Sequence, residues 1–264
     1  GPGRPIRDVR YSDGSVSSLK RPQSHSRPPR RAANSTEDAN RILFGIHPVE
    51  AALANPRRHI RAVHITENAE RRLADALKAR DVKITSAMPR DLDRRLGEDT
   101  VHQGVLMETE PLPEVDLDEL ATQAGGKPIL ILDQVTDPHN VGAILRSAAV
   151  FGAAGIVMTK RHSPPLGGVL AKSASGALEH VPVCLIQNLA RGMDDMKKMG
   201  YALVGLDGEA PDLLDDLTWP AHVAIVVGAE GRGLRQLTRE TCTHVRRIGT
   251  AGPISSLNVS NATA

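Results

Sequence analysis

The sequence is poor in aromatic residues, in cysteine and in long apolar runs, and each shortage excludes a class of protein. Only 2% of the 264 residues are aromatic, too few for the stacking platforms that grip single-stranded nucleic acids. The two cysteines, Cys184 and Cys242, cannot build a disulfide scaffold, and no cysteine or histidine spacing indicates a metal site. No run approaches the ~20 apolar residues of a membrane span, and no secretory signal opens the sequence. We therefore expect a soluble cytoplasmic protein without a metal or a membrane anchor.

The net charge of +2 hides an uneven distribution of charge. Residues 1–40 hold eight Lys or Arg against four Asp or Glu, together with five prolines and seven serines. Such a segment buries too little apolar surface to offset the entropy of ordering it. We expect a disordered basic tail. Its charge permits a weak, salt-sensitive contact with nucleic-acid phosphates, and a merely solvated extension is the alternative.

Residues 41–109 predict a small α/β module, because short apolar runs alternate there with helical patterns. The predicted elements are a helix ending at Ala54, a strand over 59–66, a helix capped by Asn68, a strand over 82–85, a helix over 89–96 and a strand over 104–107. Residues 110–127 are acidic, contain two prolines and end in a glycine pair, which predicts a linker with one helical turn. A surface loop within one domain is the alternative.

Residues 128–264 predict an α/β domain with a parallel sheet, because continuous apolar runs recur there with helical stretches between them. The runs cover residues 129–132, 155–158, 183–186, 202–206 and 223–227. Cys184 lies within one of these runs, so we expect it to pack in the core rather than to act as a nucleophile.

Ligands of parallel sheets bind outside the carboxyl ends of the strands, so the segments that follow the runs are the candidate site. After the first run, Pro138 and Asn140 fit a turn and a helix cap, and Arg146 follows within an apolar helix. An arginine in such a helix needs an anionic partner. That partner is either a ligand or a neighbouring acid in a structural salt bridge.

Two further segments carry polar groups after predicted strands. Residues 228–233 read G-x-E-x-x-G, which matches neither a dinucleotide fingerprint nor a phosphate-binding P-loop. Its glycines permit close backbone approach to a ligand, and Glu230 can accept hydrogen bonds from a ligand or hold Arg146. Residues 256–260, Ser-Leu-Asn-Val-Ser, offer hydroxyl and amide donors without a strong nucleophile.

Together the three segments resemble the signature motifs of the SpoU (TrmH) family of the SPOUT superfamily, the RNA ribose 2′-O-methyltransferases. The matching residues are Asn140 and Arg146 in the first motif, Gly228, Glu230 and Gly233 in the second, and residues 256–260 in the third. The N-terminal module is similar to an RNA-binding domain that resembles small ribosomal proteins, through Gly45-Ile46-His47-Pro48-Val49 and His102-Gln103-Gly104. The resemblance covers residues 40–264.

The resemblance implies a fold, a cofactor and a set of site residues. The expected fold is a parallel-sheet SPOUT domain with a deep trefoil knot, and the expected cofactor is S-adenosylmethionine. The implied catalytic residues are Asn140, Arg146, Glu230, Ser256 and Asn258. The implied cofactor-binding residues are Leu206, Asp207, Gly208, Gly228, Ile248 and Leu257. It also implies a homodimer, and a last helix that is truncated where the sequence stops at Ala264.

The resemblance further implies an RNA substrate and a role for the arginine. The segment from Asp133 to Asn140 looks most like family members that methylate a guanosine ribose in 23S rRNA. A tRNA ribose methyltransferase and a non-catalytic RNA-binding or ribosome-assembly protein are the alternatives. The family account makes the arginine, here Arg146, the general base, but a guanidinium stays protonated at neutral pH. We therefore expect Arg146 to bind phosphate and stabilise the developing alkoxide.

Overall fold

A computed structural model of the chain describes residues 36–249, all of which belong to one compact unit. The predicted basic tail and the predicted C-terminal helix therefore lie outside the described residues, except for residues 36–40. The α-helices are α1 (Thr36–Ala39), α2 (Ile46–Ala54), α3 (Glu67–Arg72), α4 (Ala74–Lys78), α5 (Pro89–Leu96), α6 (Leu117–Gln123), α7 (Pro138–Phe151), α8 (Gly168–Ser173), α9 (Leu189–Lys198) and α10 (Gln236–Thr241). Short 3₁₀ helices cover Ala177–Glu179 and Leu214–Asp216.

The strands form two sheets. They are β1 (Ile42–Phe44), β2 (Ile60–Ile65), β3 (Ile84–Ser86), β4 (Val105–Thr109), β5 (Ile129–Asp133), β6 (Gly155–Thr159), β7 (Val183–Ile186), β8 (Ala202–Leu206), β9 (Val223–Gly228) and β10 (His244–Arg246). The first sheet has the order β1-β4-β2-β3, and the second has the order β10-β8-β9-β5-β6-β7. The mixed α/β class and the parallel sheet predicted from the sequence are confirmed.

The N-terminal module is the mixed four-stranded sheet, in which β4 is antiparallel to β1 and β2 while β3 is parallel to β2. Its helix α5 has the predicted bounds. The predicted cap of α3 is wrong, because Thr66 rather than Asn68 occupies the cap position. Thr66 has extended backbone, and its hydroxyl accepts a hydrogen bond from the N–H of Ala69 at 3.4 Å. Asn68 lies inside the helix and accepts a hydrogen bond from Arg71.

Two carboxylates organise the cationic side chains on the outside of this module. Glu108 lies between Arg95 and His64, and Glu110 lies between Arg41 and Arg61. Partial burial alone would raise the pKa of each carboxyl, but the hydrogen bonds and charges of these partners outweigh it and lower both pKa values. The arginines of this face are thus neutralised within the module.

The segment over residues 110–127 is a packed part of the fold. Its second half forms α6, whose residues Leu117, Leu120 and Ala121 are buried in the core of the second sheet. Leu120 fits against β6 because Gly155 has no side chain. A Cβ at Gly155 would lie only 2.6 Å from Leu120 Cδ1. The hydroxyl of Tyr201 also donates to the carbonyl of Ala121 at 2.8 Å. The helix is therefore longer and more buried than the single turn that the sequence predicts.

The second sheet is parallel throughout, and its central strands β5 and β9 are buried on both faces. The chain leaves β5 towards β6 and β7, then crosses to β8 on the other side and returns through β9 to the position beside β5. The boundary between β5 and β9 is therefore a topological switch point, where connections depart in opposite directions. The knot stays a prediction.

The two modules share one hydrophobic core. Leu43, Val49 and Leu53 of the first module belong to the same buried cluster as Leu130 and Ile144 of the second. The two modules thus pack as one body through the part of the chain that is described.

Between residues 36 and 249, no helix is long and apolar enough to cross a membrane. In the same range, no group of three or more His, Cys, Asp or Glu side chains is arranged to hold a metal ion.

A buried polar cluster also joins the modules. Arg58 is fully buried, and its guanidinium bonds the carboxylate of Glu179 at 2.8 and 2.9 Å. The second oxygen of Glu179 accepts a hydrogen bond from the amide of Asn55 at 2.9 Å. At a second contact, Gln103 Oε1 accepts from the N–H of Ile46 and from Lys172 Nζ of α8, both at 2.9 Å. Sequence analysis missed both contacts, because each joins residues that are far apart in the chain.

The two cysteines are structural. Cys184 is buried in β7 as expected, and burial together with nearby Asp116 and Glu114 raises the pKa of its thiol to about 11. Cys242 is partly buried, and burial is the main reason that the pKa of its thiol is also raised to about 11. Neither thiol is ionised near neutral pH, which argues against nucleophilic catalysis by cysteine.

Candidate active site

The register of the second sheet brings the starts of the first two motif segments to one edge. Asp133 at the end of β5 is the partner of Gly228 at the end of β9, and Leu206 at the end of β8 is the partner of Arg246 at the end of β10. Because β8 also pairs with β9, the carboxyl ends of four adjacent strands form one continuous edge. This carboxyl edge includes the switch point between β5 and β9, where ligands of such sheets bind.

Helix α7 begins at this edge and carries the first motif. Asp137 is its cap, since its carboxylate accepts a hydrogen bond from the N–H of His139 at 2.8 Å, and Pro138 fills the first helical position. The sequence analysis assigned the cap to Asn140, and this is wrong. Asn140 is the third residue of the helix and is half-buried. Its side chain is thus available at the edge rather than used to start the helix.

Arg146 lies two turns further along α7, on a side of the helix that is exposed to solvent. Its neighbours Ile144 and Leu145 are buried in the shared core, so the helix holds the position of the arginine. Within the described residues, no hydrogen bond or ion pair involves its guanidinium. The structural salt bridge considered as an alternative is therefore absent among residues 36–249.

Helix α7 is also held from the side by α8. Gly142 contacts the end of α8 so closely that a Cβ at this position would lie 2.5 Å from Ser173 Oγ and 2.9 Å from the Ser173 carbonyl carbon. A larger residue would push the helices apart. The residue before Ser173 is Lys172, which bonds Gln103 of the N-terminal module. The first motif is therefore fixed against an element that the N-terminal module contacts.

The glycine segment after β9 forms a tight loop. The backbone at Gly233 passes directly over Gly228, leaving no room for a Cβ, and the N–H of Gly233 donates to the carbonyl of Ala229 at 2.9 Å. Gly231 and Gly233 have φ angles of 78° and 66°, which side-chain-bearing residues rarely adopt. Glu230 is exposed at this loop and has no bond to Arg146. Glu230 thus lies in the loop after β9, and Arg146 lies on the helix after β5, without a bond between them.

A residue that the sequence analysis missed anchors this loop. Asp133 is 1% exposed, and its carboxylate accepts a hydrogen bond from the Arg235 backbone N–H at 2.8 Å and another from Arg235 Nε at 2.7 Å. The contact joins the end of β5 to the start of α10 directly after the glycine loop. The one available signal was an acidic residue immediately after a run of four apolar residues.

We expect the substitution Asp133→Asn to destabilise the fold by about 1.5–3 kcal/mol, because a buried charge-assisted hydrogen bond is weakened and one donor loses its acceptor. Urea unfolding followed by circular dichroism measures the change in the free energy of unfolding. The matched control is Asp194→Asn, which removes an exposed helical ion pair with Lys197 and should cost no more than about 0.5 kcal/mol. Equal costs for the two variants would contradict the anchoring role.

The segments after β8 and β10 complete the edge. Asp207 binds three groups: its N–H donates to the carbonyl of Arg246 at 2.9 Å, and its carboxylate accepts from the N–H of Glu209 at 2.9 Å and pairs with Arg239. Leu206 and Ile248 are half-buried, and Gly208 is exposed. The structure therefore gathers these predicted cofactor-binding residues in the segments that follow adjacent strands. Ser256, Leu257 and Asn258 lie outside the described residues.

Comparison with known proteins identifies both modules. Residues 127–264 match the model of the SpoU rRNA Methylase family, and residues 42–115 match the model for RNA 2′-O ribose methyltransferase substrate binding. The chain is 38% identical over 232 residues to the 23S rRNA (guanosine-2′-O-)-methyltransferase RlmB of Vibrio vulnificus, covering 85% of this chain and 93% of that protein. It is 42% identical over 229 residues to RlmB of Shewanella oneidensis, covering 84% of this chain and 93% of that protein.

The solved structures agree in fold. The SpoU methyltransferase AviRb from Streptomyces viridochromogenes, in complex with AdoMet, superimposes with a TM-score of 0.70 at 24% identity, covering 84% of this chain and 85% of AviRb. An rRNA methyltransferase from Sinorhizobium meliloti superimposes with a TM-score of 0.70 at 22% identity, covering 86% of this chain and 85% of that one. Since the RlmB proteins are 38% and 42% identical over most of both chains, and more than half of the chain matches the methylase model, this protein belongs to the SpoU rRNA methylase family.

Proposed function

We propose that the protein uses S-adenosylmethionine to methylate the ribose 2′-hydroxyl of a guanosine in 23S rRNA. The observation that carries this proposal is similarity along both modules to proteins named for that reaction, at 38–42% identity over 84–85% of the chain. The carboxyl edge supports it, because Gly228 ends β9 there and the helix that carries Asn140 and Arg146 begins after the neighbouring strand β5. The N-terminal module supplies the substrate-binding part.

The carboxyl edge fits S-adenosylmethionine. Leu206 and Ile248 offer half-buried apolar side chains, and a Cβ added at Gly208 would meet no atom within 4 Å, so there is open space beside the backbone. Gly228 starts the loop that bends close to the strand end. These are the features that an adenosyl group needs, namely apolar contact and backbone hydrogen bonding. We assign cofactor binding to these four residues.

Two further residues complete the proposed pocket. The backbone N–H and the carboxylate of Asp207 are already engaged, so we assign it to holding the loop that presents Gly208. Leu257 is assigned to the cofactor by the family motif. When bound, S-adenosylmethionine supplies a methyl group activated by a sulfonium.

The chain must position the ribose and assist the loss of the hydroxyl proton. An arginine guanidinium is a poor general base, so we do not assign removal of that proton to Arg146. We assign it to binding a substrate phosphate and to donating hydrogen bonds to the oxygen as negative charge develops there, a role worth about 10²–10³-fold in rate. A phosphate oxygen or a water molecule takes the proton. Positioning by α7 supplies the rest of the acceleration that the chain contributes.

The remaining motif residues support this arrangement. We assign Asn140 and Glu230 to orienting Arg146 once RNA is bound, because both lie at the switch point and neither has another charged partner among residues 36–249. Ser256 and Asn258 are assigned to holding the acceptor ribose.

We further propose a homodimer in the cytoplasm. Val150 and Phe151, which are 77% and 64% exposed at the end of α7, support an interface between copies.

The test is mass-spectrometric mapping of 2′-O-methyl groups in total rRNA and tRNA, from cells with and without this protein. We expect one 2′-O-methylguanosine of 23S rRNA to disappear without the protein, and to return when the parent chain is supplied but not when an Arg146→Ala variant is supplied. A lost mark confined to tRNA would establish the tRNA enzyme instead. Restoration by Arg146→Ala would contradict the assignment of catalysis to this arginine.

A further inference from the structure

The loop from Lys160 to Gly167, which joins β6 to α8, exposes three consecutive cationic or ionisable side chains. Lys160, Arg161 and His162 are all exposed, and their side chains form no hydrogen bond or ion pair with residues 36–249. This differs from the N-terminal module, where Glu108 and Glu110 neutralise the arginines around them. The triplet over residues 160–162 therefore carries charge that nothing in the described chain compensates.

The triplet lies at the carboxyl edge, beside the first motif. Strand β6 pairs with β5, and the partner of Val157 is Ile131, so the ends of the two strands are level. The chain that follows β5 leads to Asn140, and the chain that follows β6 leads directly to Lys160. The uncompensated charge is thus next to the proposed catalytic residues along the same edge.

The protein holds both ends of this loop. At the near end, the N–H of Lys160 donates to the carbonyl of Ile186 at 2.8 Å, and the hydroxyl of Thr159 donates to the carbonyl of Arg161. His162 has a φ angle of 64°, a conformation uncommon for a residue with a side chain. Such conformations persist only where the surroundings impose them, and they concentrate at functional sites.

At the far end, residues 39–42 hold the loop, at the start of the N-terminal module. The N–H of Leu166 donates to Asn40 Oδ1 at 2.8 Å. Gly167 packs against the carbonyls of Ala39 and Ile42, and a Cβ there would lie 3.1 Å from the Ile42 oxygen. The loop thus runs from the carboxyl edge to the substrate-binding module, and its cationic side chains are exposed to solvent between these two places.

We propose that Lys160, Arg161 and His162 form a binding site for the sugar-phosphate backbone of the RNA that flanks the target ribose. An RNA that contacts the N-terminal module and reaches the carboxyl edge passes this loop. Phosphate binding by such side chains is independent of base sequence and positions the RNA rather than selecting it. This inference rests on the proposed function for the identity of the ligand.

The experiment compares two double variants of the full chain that lose the same charge. Lys160→Gln/Arg161→Gln removes two cations at the carboxyl edge. The matched control, Lys127→Gln/Lys198→Gln, removes two exposed lysines at the opposite edge of the same sheet, one strand length of about 16 Å away. The probe is an unmethylated transcript of 23S rRNA, and filter binding gives its dissociation constant over a series of KCl concentrations.

We expect the first variant to bind the transcript about 10- to 100-fold more weakly at low salt. We also expect the plot of the logarithm of the association constant against log [KCl] to become less steep, by about one unit of slope for each residue replaced. The control should keep both values, and both variants should keep the parent affinity for S-adenosylmethionine in calorimetry. Equal slopes for the two double variants would overturn the proposal. Methylation of the transcript by the parent chain is measured separately. If the parent chain does not methylate the transcript, the proposed activity is contradicted. A smaller salt dependence of binding in the Lys160→Gln/Arg161→Gln variant would still establish the RNA-binding site.

Discussion

Replacing Arg146 by lysine is expected to reduce the rate of methyl transfer to RNA about 10²–10³-fold while leaving the affinity for S-adenosylmethionine nearly unchanged. The side chain is exposed and unpaired within the described residues, so its loss removes little from the fold. Lysine keeps the positive charge but not the planar fork of donors that can contact a phosphate and the reacting oxygen together. Single-turnover kinetics with saturating cofactor measure the rate, and calorimetry measures cofactor affinity.

The control for this prediction is Arg191→Lys, at an exposed arginine of α9 in the same domain. This variant should keep the parent rate. A weakened affinity for the cofactor in Arg146→Lys would assign the arginine to the pocket, and a lowered unfolding temperature would assign it to the fold. Either outcome would contradict the role in stabilising charge on the reacting oxygen.

The second large effect is expected at the junction of the modules. The substitution Glu179→Leu leaves the fully buried guanidinium of Arg58 without its carboxylate, and should lower the free energy of unfolding by about 3–5 kcal/mol. Replacing both residues, as Arg58→Met with Glu179→Leu, should recover most of that loss, because the buried charge is then removed together with its partner. Urea unfolding of both variants measures the two values.

An exposed ion pair in the same chain provides the comparison. The substitution Arg61→Gln removes a pair with Glu110 at a position where the arginine side chain is 64% exposed, and should cost at most about 1 kcal/mol. If Glu179→Leu costs no more than Arg61→Gln, the buried pair does not hold the modules together. If the double variant is as unstable as the single one, shape rather than charge is the requirement at this junction.

Local patterns predicted the individual elements well. The apolar runs became β5 to β9, because strands in the interior of a parallel sheet, such as β5 and β9, are buried on both faces. Helix α5 was predicted with its true bounds from Pro89 and the pattern after it. Two caps were misassigned, to Asn68 and Asn140, for a common reason. A suitable acceptor, Thr66 or Asp137, stood two or three residues earlier in extended backbone, and several residue types can cap a helix.

Contacts between distant residues could not be predicted from one sequence. Arg58 and Glu179 are 121 residues apart, and no local pattern distinguishes them from exposed charges. The pairing of β5 with β9 likewise depends on a crossing of the sheet that periodicity does not encode. For the site, the motif resemblance named the residues in advance, but it omitted Asp133, whose role lies in holding a loop rather than in touching a ligand.

The core shared by the two modules packs the substrate-binding module directly against the domain that carries the carboxyl edge. The separation between these two places is thus a fixed length, set by packing rather than by a tether. For the proposed reaction, we expect an RNA to be modified when its folded shape places a ribose at the carboxyl edge while the first module contacts the same RNA. Selection by measurement of shape needs few aromatic side chains to read bases, and this chain has few.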